Sequence, residues 1–76
     1  MSALLHRVGE ALYGHRWQSD LARDLDVSGR TMRRWAAGHD ALPRGVADDL
    51  RMLCIERAAR LAVIAAELAE PKPARD

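Results

Sequence analysis

Three arginines fall within five positions of this 76-residue chain, at Arg30, Arg33 and Arg34, and the run from Ser28 to Arg34 contains no acid. A guanidinium is a permanent cation whose donors form a flat fork, suited to phosphate oxygens or to the O6 and N7 of guanine. On a helix opening at Gly29, the arginines share one side with Gly29 and Ala37, while Met32, Trp35 and Ala36 fall on the other. Three like charges on one face repel, and a polyanion relieves that repulsion. A solvated surface has the same composition, so the elements around the arginines must decide. Catalysis has no comparable foothold. His6, His15 and His39 are scattered, and the single cysteine, Cys54, has no ligand-type neighbours. The chain is expected to be no enzyme and to hold no metal, cofactor or internal disulfide. Cys54, between Leu53 and Ile55, reads as a buried small apolar residue, and no role is expected for His6 or His39.

The elements that must hold the arginines are helical by pattern. Leu4, Leu5, Val8, Ala11 and Leu12 follow amphipathic spacing, which predicts a helix over about 3–13, capped by Ser2 and ended at Gly14. Gln18–Leu25 repeats the pattern with Leu21, Ala22 and Leu25 facing inward. Asp26, Val27 and Ser28 break it, and Ser28 suits the cap of a third helix over about 29–37 that stops at Gly38. After a connector over 39–43, Pro43 fits the first turn of a last helix running to about Ala69, before Pro71 and Pro73. That helix spans about 26 residues, roughly 39 Å, and Arg57–Arg60 is the place where it could divide in two. Residues 71–76 read as a disordered tail, leaving 1–70 as a single domain.

The string WQSDLARDLDVSGRTMRRWAAG resembles the Cro and lambda-repressor family of helix-turn-helix proteins over roughly residues 17–43. Ala22 lies where that fold needs a small residue, Leu25 and Val27 flank the turn, and Ser28, Thr31, Arg34, Trp35 and Gly38 follow the family's spacing. Asp26 departs from the glycine common in that turn, although Asp tolerates a left-handed backbone. The resemblance implies an all-α, lambda-repressor-like bundle of four to five helices, with a long C-terminal helix or helix pair. It also implies double-stranded DNA as partner, with the helix from Gly29 in the major groove. Arg30 and Arg33, then Arg34, are the expected base readers, and Gly29 would let the backbone approach the groove. Gln18, Ser19 and Arg16 are the expected phosphate contacts, with His15 beside them and with Ser28 and Thr31, although these last two also read as local caps. Trp17 and Trp35 read as packing residues.

The net charge is only +1, and from His39 onward six bases meet seven acids, so the basic character is concentrated in the 28–34 run. No apolar stretch reaches the ~18–20 residues of a membrane span, and no signal-peptide pattern opens the chain. A cytoplasmic protein is expected, without room for a small-molecule effector domain. Early in the last helix Val46, Leu50, Leu53 and Cys54 form a stripe that should close the core. Beyond Arg57 the helix becomes apolar on nearly every side, which normally means burial. A homodimer joined through Leu61, Ile64 and Leu68 is therefore expected, able to present two reading helices to a palindromic operator. The competing arrangement turns this segment back onto its own first helix as a five-helix monomer. A repressor of its own promoter, of the phage or anti-CRISPR-associated kind, fits this size. The alternative is an antitoxin or phage-encoded inhibitor acting through protein contacts of the C-terminal helix.

Overall fold

A computed structural model describes residues 2–70, and the expected tail at 71–76 lies outside them. Four helices follow in order: α1 (Ser2–Tyr13), α2 (Trp17–Leu25), α3 (Gly29–Ala36) and α4 (Arg44–Ala69). No strand occurs among the described residues, so the bundle is all-α. Small shifts separate these bounds from the sequence pattern. Ser2 is the first residue of α1 instead of its cap, and α2 begins at Trp17. Pro43 stands outside α4 at φ −59° and ψ 149°, so Arg44 opens that helix.

The buried face of α1 is Leu5, Gly9 and Leu12, whereas Leu4 is 47% exposed and Ala11 also faces solvent. The expected stripe is thus rotated, and Trp17 is the reason. Its indole lies against the Gly9 backbone so closely that an added Cβ would meet Cδ2 at 2.2 Å. A side chain at position 9 would force α1 and α2 apart.

Two turns then orient α3. Asp26 takes the left-handed conformation at φ 58°, donating its N–H to Arg23 O (3.1 Å), while Val27 N–H reaches Ala22 O (3.0 Å). That pair of bonds is the Schellman closure of α2. Gly38, at φ 81°, ends α3 in the same way: its N–H goes to Trp35 O (3.1 Å), and that of His39 to Arg34 O (3.0 Å). Glycine adopts this backbone without the Cβ penalty that other residues meet.

Leu5, Trp17, Leu21, Ala22, Met32, Trp35 and Leu50 form one buried cluster, with Val46 and Leu53 partly buried against it. Cys54 is only half-buried, less than its sequence context suggested. The inward face of α4 continues one turn further to Arg57, whose Nη1 donates to Leu12 O at the end of α1. Its guanidinium also lies 5.5 Å from the Tyr13 ring centroid. There the body ends. Residues 58–70 are all exposed, yet the helix runs unbroken to Ala69, so the described residues show neither a break at 57–60 nor a fifth helix folding back. Six alanines between Arg57 and Glu70 favour helix without burial, and the docked turns supply the nucleus that an isolated segment would lack. The molecule is correspondingly long, 54 × 22 × 21 Å.

Candidate nucleic-acid interface

The α3 helix is seated by Met32 and Trp35, which are 0% and 6% exposed. Its far end is tied as well. His6 Nε2, on α1, lies 3.0 Å from Ala36 O; because a carbonyl only accepts, this bond requires the proton on Nε2. The same imidazole packs edge-on against Trp17 at 5.1 Å between centroids. No role was expected for His6, and spacing could not supply one, since its partner is a backbone atom 30 positions away.

At the start of α3, Ser28 Oγ accepts from Thr31 N–H at 3.0 Å and donates to Thr31 Oγ1 at 3.0 Å. Both residues, expected at phosphate, are thus engaged first with each other as the helix cap. The Thr31 hydroxyl keeps a hydrogen that can be donated outward.

Gly29, Arg30, Arg33 and Arg34 are exposed together on the side opposite Met32 and Trp35. They are not equivalent. Arg34 forks onto Asp40, with Nε 2.7 Å from Oδ2 and Nη2 3.3 Å from Oδ1. This bond holds the Asp40 carboxyl below its ordinary range and raises the guanidinium above its own. The expectation of three unrelieved arginines is therefore corrected to two. Asp40 lies in the connector, beyond the reach of a periodicity argument made on α3 alone. Arg30 and Arg33 make no ion pair among the described residues.

The space left by Gly29 has an occupant too. A Cβ there would lie 3.2 Å from Arg33 Nη1, so the Arg33 guanidinium rests over the first residue of α3. A cation beside the positive end of a helix is electrostatically unsatisfied, and an anion arriving there satisfies both.

At α2 the expected anchor residues do come together. His15, Arg16, Trp17, Gln18 and Ser19 border one shallow depression at the helix start. No side chain caps that start, which leaves backbone N–H groups open to an acceptor. Asp20 in the first turn opposes an incoming anion, although Arg23 pairs with it at 3.2 Å.

Behind this surface, the Tyr13 hydroxyl donates to Asp24 Oδ2 at 2.5 Å, joining α1 to α2. Burial, and then this bond, push the Tyr13 pKa up to about 12. The residues expected at a dimer contact lie far along α4, where Leu61 is 58%, Ile64 52% and Leu68 73% exposed. Among the described residues no group of three His, Cys, Asp or Glu is placed to hold a metal ion. No helix among them is long and apolar enough to cross a membrane. No protein-family model, curated protein or solved structure matches the chain.

Proposed function

We propose that the protein is a sequence-specific DNA-binding transcriptional regulator of the helix-turn-helix type, working as a homodimeric repressor on a palindromic operator. One observation carries this reading: Arg30 and Arg33 stand exposed on a firmly seated helix, without an acidic partner among the described residues. In this reading α3 enters the major groove, which is about 12 Å wide and admits a helix. Arg30 reads a base edge, and Arg33 does so after leaving Gly29. Arg34 takes part only by exchanging Asp40 for the nucleic acid. Gln18, Ser19 and Arg16 hold phosphate at the start of α2, fixing register without reading sequence.

The test begins by selecting bound sequences from a random duplex pool and measuring affinity for the winner. Arg30→Ala should cost about 1–3 kcal/mol of discrimination at one base pair, and Gln18→Ala should weaken all sequences evenly. If the pool yields no preferred sequence, or neither variant alters binding, the reading fails.

The exposed apolar end of α4 favours a second reading, an antitoxin or inhibitor that covers this surface with a different protein. Stoichiometric co-purification of a second protein, lost on Leu61→Asp/Ile64→Asp, would favour it.

A further inference from the structure

We propose that the free half of α4 pairs antiparallel with the same segment of a second copy, about a twofold axis passing between Val63 and Ile64. The inference rests on the homodimer reading above and adds its orientation and register. Along α4 the face applied to the body is Val46, Leu50, Leu53 and Arg57, at alternating steps of four and three. A further four, three and four residues on from Arg57, the same side of the helix carries Leu61, Ile64 and Leu68, which are more than half exposed. The stripe outruns the body it packs on. Such a 4–3 stripe is the seam of a two-helix contact.

Charge selects the orientation. Arg60 and Glu67 are seven residues apart, so they lie on one flank of the stripe, and neither has an ion-pair partner among the described residues. In an antiparallel pair like flanks meet, and an axis between Val63 and Ile64 sets Arg60 of each copy beside Glu67 of the other. A parallel pair brings opposite flanks together and leaves both charges beside alanine. The opposite flank is Ala58, Ala62, Ala65 and Ala69, small enough for the helices to approach closely. Leu50, the deepest docked residue of α4, lies about 20 Å from the axis at 1.5 Å per residue, which sets the two bodies about 40 Å apart. Half-sites one turn apart on DNA require roughly 34 Å.

Sedimentation equilibrium of the full chain tests this. The native protein should dimerise at micromolar concentration. Arg60→Glu alone, which opposes two like pairs, should weaken the dimer about tenfold, and Arg60→Glu/Glu67→Arg should restore it. In a Cys54→Ser background, an Arg60→Cys chain should cross-link to a Glu67→Cys chain in preference to another Arg60→Cys chain. A monomer throughout, a double variant that fails to recover, or preferential self-cross-linking of Arg60→Cys would overturn the pairing. A monomer that still binds a half-site through Arg30 overturns the pairing alone. A dimer with the expected cross-links that binds no DNA overturns the DNA reading alone.

Discussion

The two halves of α4 have the same secondary structure and share one apolar stripe interrupted at Arg57, yet they differ in what surrounds them. From Arg44 to Arg57 the stripe lies on a core in which Leu5, Leu21 and Met32 are 0% exposed. From Ala58 to Ala69 it is exposed throughout. Helix formation and burial are therefore separate facts in this chain. The first half is helical because it is packed; the second because alanine-rich sequence extends a helix already begun. In the proposed function the two parts have different roles. The packed part seats α3 through Met32 and Trp35, and in the proposed dimer the free part meets the same segment of a second copy. Arg57 marks the joint, with one contact to each of the last two residues of α1, the Leu12 carbonyl and the Tyr13 ring.

The sharpest way to break this comparison is to truncate a leucine in each region. Leu21→Ala should cost about 2–5 kcal/mol, because the side chain is fully buried in the core cluster and its loss leaves a cavity there. Leu68→Ala should leave the thermal melt of dilute protein unchanged, since 73% of that residue is already in water and alanine is the better helix former. Melting followed by circular dichroism decides it, and equal losses at the two sites would show that the extension is packed after all.

A smaller effect is expected at the joint. The Tyr13 pKa is raised from its ordinary 10.0 to about 12 in the folded chain, so folding favours the protonated phenol. That contribution is complete below pH 10 and is lost as pH rises through about 12. Urea unfolding should show the native protein weakening across this window. Tyr13→Phe, which lacks both the proton and the Asp24 bond, should start lower and stay flatter. Parallel curves would mean that another group dominates the alkaline loss.

The helical order and most of the core were legible because periodicity reports which residues turn inward along one helix. Leu21, Ala22, Met32 and Trp35 lie where their spacing puts them, and Gly14 and Gly38 end helices as glycines do. What escaped depends on contacts between segments distant in sequence. The rotation of α1 follows from Gly9 meeting the Trp17 ring, and a glycine inside a helical pattern looks only like a weak residue. The His6 bond goes to a backbone carbonyl, which has no residue type to recognise. Exposure of Arg30 and Arg33 was readable from the helical wheel, but the capture of Arg34 was not, because Asp40 reaches it only after the Gly38 turn reverses the chain.

That capture supports the smallest prediction, and it divides the packed region itself. Arg34 and Asp40 are both exposed, and surface pairs of this kind add little to stability, so Asp40→Asn should leave the melt where it is. Its effect should appear on nucleic acid instead. An arginine held by its own chain must leave that partner before it can meet a phosphate, which offsets much of what the new contact contributes. Freed by the substitution, Arg34 joins Arg30 and Arg33, and the slope of log affinity against log salt should steepen by about 0.9, the value for one added phosphate contact. Discrimination between bases should not change, because a phosphate contact carries no base information. A gain in discrimination would instead put Arg34 among the base readers, with Asp40 as the group that restrains it. An unchanged slope would mean that Arg34 points away from the nucleic acid in either state, which would leave the proposed reading to Arg30 and Arg33, the two arginines of α3 without an acidic partner among the described residues.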